Sequence, residues 1–137
     1  MKAITISTQI KQPLQKVWDC FTLPKHITQW NFASPDWACP SATNDLKPGG
    51  KFSWRMEAKD GSMGFDFSGT YSEIQHGKLL RYALDDGREV SEKFEESGGY
   101  VLVTETFEPE HQNDVEMQRN GWQAILNNFK THAEKVA

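Results

Sequence analysis

Two glutamates carry the clearest chemical signal in this 137-residue chain. Glu92 lies in the run Arg88–Phe94 with the parity of Val90 and Phe94. Glu105 lies in Val101–Phe107 with the parity of Val103 and Phe107. Alternate residues of a strand share a face. If the valines and phenylalanines point into a core, both carboxylates point inward with them. A carboxyl taken out of water must find a partner or keep its proton. Such groups anchor the polar head of a ligand or serve as general acid and base. The competing reading is that a β-bulge reverses the parity, or that these strands are solvated there. Asp66 stands between Phe65 and Phe67, and its alternation sends it to the face opposite those rings.

Other chemistries find less support. The histidines are His26, His76, His111 and His132, and no two have the i, i+4 spacing of a zinc-binding helix. Cys20 and Cys39 form no CxxC, so no metal site is expected. Gly49–Gly50 follows Pro48 and precedes a strand, which makes it a turn rather than a phosphate cradle. No GxSxG elbow occurs. Cys20 reads as a small buried hydrophobe. No catalytic residue is assigned and no cofactor is called for.

Bulk properties narrow the classes further. A net charge of −4 and a pI of about 5.5 exclude the basic footprint of a nucleic-acid binder. No apolar run approaches the roughly 18 residues of a membrane span. The opening MKAITISTQIKQP lacks the apolar stretch of a signal peptide. Two unlinked thiols fit a reducing compartment, so a cytoplasmic monomer is expected. Residues 1–137 read as one domain, a size that buries roughly 68% of its unfolded surface. The aromatic content is 12%, with five tryptophans. Large rings serve as core pieces or as pocket walls.

These side chains must be positioned by a definite order of elements. Ala3–Ile10 alternates apolar and polar residues, the period of a half-buried strand. Pro13 suits the first turn of a helix, and Leu14, Val17, Trp18 and Phe21 mark its face. Pro24 restarts a second short helix carrying Ile27 and Trp30. Residues 31–50 show no periodicity and read as a long loop, with Trp37 either plugging the core edge or covering a ligand. From Lys51 onward the pattern is strands separated by Asp60–Gly61, His76–Gly77, Asp86–Gly87 and Ser97–Gly99 turns. The C-terminal segment is a long amphipathic helix. Val115, Trp122, Ile125, Leu126, Phe129, Ala133 and Val136 share its face. Asn113 and Glu116 have capping-box spacing. Gly121 opposes helix propensity, so close packing is expected around it.

The order strand, two short helices, antiparallel meander and long helix resembles the helix-grip fold of the START-like (SRPBCC, Bet v-like) superfamily. Three stretches are similar to bacterial single-domain proteins of one subfamily: DLKPGGKFSWRMEAKDGSMGFDFSGTY at 45–71, LDDGREVSEKFE at 84–95, and TETFEPE with QRNGWQAILNNF within 104–129. That subfamily is named after the activator of the 90-kDa heat-shock-protein ATPase. The resemblance implies an α+β fold, a curved antiparallel sheet wrapped on the C-terminal helix. It also implies a cavity for lipid-, polyketide- or flavonoid-like molecules. Some relatives are cyclases or hydrolases, and the eukaryotic activator uses the homologous domain in a co-chaperone.

The expected function is therefore binding of a small, largely apolar molecule between sheet and C-terminal helix. Trp54, Met56, Phe65, Phe67, Tyr82, Trp122 and Phe129 are candidate walls, with Trp30 and Trp37 near the mouth. Not all of them can face inward. Glu92 and Glu105 would orient a polar group. The alternatives are stimulation of a heat-shock ATPase partner, or cyclisation or hydrolysis of a hydrophobic substrate.

Overall fold

In the computed structural model, which describes residues 2–136, the alternating runs become one seven-stranded antiparallel sheet. Strand β1 (Ile4–Ile10) leads into helices α1 (Leu14–Thr22) and α2 (Pro24–Trp30). Then come β2 (Trp37–Asn44), β3 (Lys51–Ala58), β4 (Gly64–Gln75), β5 (Leu79–Leu84), β6 (Glu89–Ser97) and β7 (Tyr100–Phe107). Helix α3 (Val115–Lys135) closes the order. Strands β2 to β7 form a meander, and β1 returns to pair with β7. This is the α+β helix-grip arrangement. Gly61, Gly77 and Gly87 take positive φ in the hairpin turns, where a β-carbon would be strained.

The sheet curls for local reasons. The twelve-residue β4 shifts register between Tyr71 and Glu73, and such a bulge bends a strand and increases its twist. Gly69 lets the sheet fold tightly: a β-carbon there would strike the Ala83 carbonyl oxygen and the Phe52 ring. The concave face gathers Ile4, Ile6, Ile10, Phe52, Trp54, Tyr82, Val90, Phe94, Val103 and Phe107 into one core. Helices α1 and α2 add Val17, Trp18, Phe21, Ile27 and Trp30 to it. The Phe21 ring meets Trp30, Phe94 and Phe129 at centroid distances of 5.3 to 5.7 Å.

Helix α3 packs along β1 and against α1 and α2. Its start is capped by Asp114, whose carboxylate accepts the Met117 N–H at 3.2 Å. The cap thus lies one residue beyond the expected Asn113. Side chains of α3 also clasp the free edge of β1. Arg119 donates to the Thr5 carbonyl at 3.3 Å, Gln123 to that of Ser7 at 3.4 Å, and Lys130 to that of Gln9. No helix among the described residues is long and apolar enough to cross a membrane.

The structure corrects several local expectations. Residues 31–50 are not a structureless loop, because β2 runs through them as the far edge strand. Pro40 and a register shift between Ala38 and Ser41 scramble the alternation, and edge strands tolerate both. Val115 is exposed; the buried residue of the first turns is Gln118. Gly121 is not closely packed, since a β-carbon there would meet nothing within 4 Å. Close approach demands glycine instead at Gly69 and at Gly50, where a β-carbon would strike the Asp45 carbonyl oxygen.

Candidate functional site

A hollow of about 280 Å³ lies between the first half of α3 and the curled sheet. The period-two faces of β3 and β4 supply Trp54, Met56, Phe65 and Phe67 to its walls. Tyr82 comes from β5 and Glu105 from β7. Trp122 and Ile125 face it from α3, and Phe21, Trp30 and Asn31 close it from the short helices. Exposed Phe65 and Asn113 form part of its rim. The walls are aromatic contacts in series. Trp122 stacks on Phe107 at 3.9 Å and 7°, and meets Phe67 edge-on at 5.8 Å. Phe67 touches Trp54, which touches Trp30.

Three expected site residues lie outside the hollow. Phe129 is fully buried and packed between Phe21 and Trp30, so it belongs to the solid core. Trp37 stands on the edge strand beside Phe65, with ring centroids 6.1 Å apart. Glu92 is sealed behind the wall. Trp30 is 2% exposed and forms the floor of the hollow rather than its mouth. Asp66 pairs outward with Arg55 at 3.5 Å.

The two glutamates meet. Glu92 and Glu105 are direct cross-strand partners in an unbroken β6–β7 register. Glu105 lines the hollow, and Glu92 is wholly buried beside it. Tyr82 donates its hydroxyl to Glu92 Oε1 at 3.0 Å. Glu92 Oε2 has no partner while both groups are ionised. A proton on Glu92 supplies one, donated to the Glu105 carboxylate. Burial pushes the Glu92 carboxyl well above the usual carboxylate range, and the Glu105 charge pushes it further. Burial raises Glu105 too, while the hydrogen bond from Glu92 draws it back. Burial and the facing Glu105 charge thus favour a proton on Glu92, and the hydrogen bond from Glu92 favours the ionised form of Glu105, the member that faces the hollow. The Tyr82 hydroxyl is held neutral, first by burial and then by Glu92.

Sequence reasoning did not find the polar residues of the rim and floor. Gln118 is buried and serves as a clamp. Its Nε2 donates to the Glu110 and Asn113 carbonyls at 3.0 and 2.9 Å, and its Oε1 accepts the Glu110 N–H at 2.9 Å. It thereby fixes the loop that roofs one side of the hollow. Arg88 reaches the rim, but its guanidinium is engaged by Asp86 at 2.9 Å. The only legible signal for Gln118 was a polar residue one turn before Trp122.

Residues 11–134 match the family model described as "Activator of Hsp90 ATPase homolog 1-like protein". Among solved structures, the chain is 41% identical to the AHSA1-like protein from Aeromonas hydrophila, with a TM-score of 0.88 over 96% of this chain and 92% of that one. It is 45% identical to a protein from Cytophaga hutchinsonii, with a TM-score of 0.84 over 96% and 91%. A Chromobacterium violaceum protein shares the fold at 19% identity, with a TM-score of 0.87 over 99% and 100%. No curated protein matches the chain.

Proposed function

The chain belongs to the family of Activator of Hsp90 ATPase homolog 1-like proteins, and from that premise we propose that it binds a small, largely apolar molecule in the hollow under α3. The observation that carries this reading is an aromatic hollow with the buried Glu105 carboxyl in its inner wall. Apolar concavities with a few placed polar groups are the usual small-molecule sites. The volume of about 280 Å³ stands at the lower edge of the roughly 300–1,000 Å³ range for such sites. It suits a compact ring system better than a long acyl chain. The hydrogen bond from Glu92 favours the ionised form of Glu105, which makes Glu105 an acceptor toward the hollow. The ligand then carries a hydrogen-bond donor, a phenol or an amine, on an aromatic or alicyclic body.

The test is an NMR titration with matched ring compounds, each with and without a donor group. Donor-bearing members are expected to shift the amides of β7 near Glu105, of β4 near Phe67 and of α3 near Trp122 together. Glu105→Gln is expected to abolish the preference for the donor-bearing member of each pair while leaving apolar binding in place. Shifts confined to the convex surface of the sheet overturn the reading.

A further inference from the structure

Three side chains far apart in sequence come together where the three helices meet. Cys20 is on α1, His26 on α2 and His132 on α3. The sulfur and one ring nitrogen of each histidine all lie within 4.8 Å of one another. His26 Nδ1 and His132 Nε2 face each other at 2.9 Å, with ring planes inclined by 58°. Neither i, i+4 spacing nor a CxxC announces this group, because each donor arrives on a different element.

From this geometry we propose that Cys20, His26 and His132 form a binding site for a thiophilic borderline cation, zinc(II) above all. Zinc binds thiolate at about 2.3 Å and imidazole at about 2.0–2.1 Å, which places tetrahedral donors roughly 3.3–3.7 Å apart. The two nitrogens need to part by a few tenths of an ångström, and the sulfur to close by about 1.3 Å at most. The donor set of one sulfur and two nitrogens selects against magnesium and calcium, which take oxygen ligands. Both histidines are partly exposed, which gives the metal a path to the buried sulfur. The fourth position falls to water.

The backbone that carries the sulfur is also held in place. The Trp30 indole N–H donates to the Cys20 carbonyl at 2.8 Å, and the Thr22 hydroxyl to the Trp18 carbonyl at 2.8 Å. The first bond ties the last turn of α1 to α2, and the second lies within that turn. Cys39 offers a contrast: its sulfur is engaged by Asn31 Nδ2 at 3.8 Å and by the Ser41 carbonyl at 3.5 Å. A metal at the three-helix junction ties α1 and α2 to α3.

The experiment strips the full-length protein with a chelator and titrates it with cobalt(II), then with zinc(II). One cobalt per chain is expected, with a thiolate-to-metal charge-transfer band and the visible bands of a tetrahedral ion, all bleached by zinc. Loss of an outer-sphere partner alone costs about 10–100-fold in affinity. His132→Gln, which removes a ligand, is expected to weaken binding by at least that much. Cys20→Ala is expected to remove the charge-transfer band, and Cys39→Ala to change nothing. If Cys20→Ala does not fold, His26→Gln and His132→Gln, at partly exposed positions, carry the test. Failure of stripped wild type to bind a stoichiometric cobalt overturns the proposal. So does a band that survives in both histidine variants, or one that depends on Cys39.

Discussion

Along α3, Leu126, Phe129 and Ala133 are buried with at most 2% exposure, whereas Trp122 and Ile125 stay half-buried over a hollow. Both stretches lie on the same helix face and look toward the same sheet. The difference lies in what stands opposite. The second half meets α1 and α2: Phe129 packs on Phe21 and Trp30, and Asn128 donates to the Phe32 carbonyl at 2.6 Å. The first half faces the curled sheet across the hollow, and Trp122 leans onto Phe107 and Phe67 to reach it. The short helices fill one end of the grip, and the hollow begins where they stop. A cavity here needs no special lining sequence. It needs only a filler that is too short.

The comparison breaks most readily at its two aromatic residues. Phe129→Ala is expected to cost about 3–5 kcal/mol, the usual price of emptying a packed aromatic site. Trp122→Ala opens space beside an existing hollow and is expected to cost less, within the ordinary ~0.5–3 kcal/mol of point substitutions. Urea unfolding of both variants ranks them. A Trp122 variant that is as unstable as the Phe129 variant removes the distinction between a solid and a hollow half.

The carboxyl pair sharpens the picture of the hollow half. Unfolded glutamate titrates near 4.3. Burial and mutual charge raise Glu92 well above that value, and burial raises Glu105. Between the unfolded and folded values, the native state holds a proton that the unfolded chain has released. Its contribution to stability is therefore full below about pH 4.3 and is lost as pH rises through the folded value, at most about 1.4 kcal/mol per pH unit for one proton. In Glu92→Gln the amide still donates toward Glu105 and accepts from Tyr82. That variant is expected to flatten the decline and to be at least as stable as wild type at neutral pH. Denaturant midpoints measured from mildly acidic to mildly alkaline pH settle it. An unchanged slope in both Glu92→Gln and Glu105→Gln places the proton elsewhere.

The smallest effect belongs to Gly121, on the hollow half of α3. A β-carbon there meets open space, so Gly121→Ala is expected to gain up to about 1 kcal/mol from helix propensity. A loss of stability in the same unfolding assay means that this half is tighter than described.

Much of this was legible in the sequence because β6 and β7 pair without a bulge. Strict alternation through Val90, Glu92 and Phe94, and through Val103, Glu105 and Phe107, gives the facing side of each residue directly. Parity fixes a face but not a depth. It does not separate Glu105 at the wall from Glu92 behind it, nor Trp122 over the hollow from Phe129 in the core. Those differences depend on where α1 and α2 end. Strand β2 was hidden because Pro40 and the Ala38–Ser41 register shift break the very period by which strands are recognised. Gln118 was hidden because its bonds go to backbone carbonyls of a loop, and no side-chain motif records them.

The two margins of the sheet bear on how copies of this protein behave in a crowded solution. A bare strand margin is a template on which another chain can add. Along β1, the carbonyls of Thr5, Ser7 and Gln9 are already taken by Arg119, Gln123 and Lys130. Along β2, Pro40 offers no N–H and the register shift bends the line of donors and acceptors. Intermolecular growth of the sheet is obstructed at both ends, so the fold leaves its sheet open at the sides without inviting polymerisation.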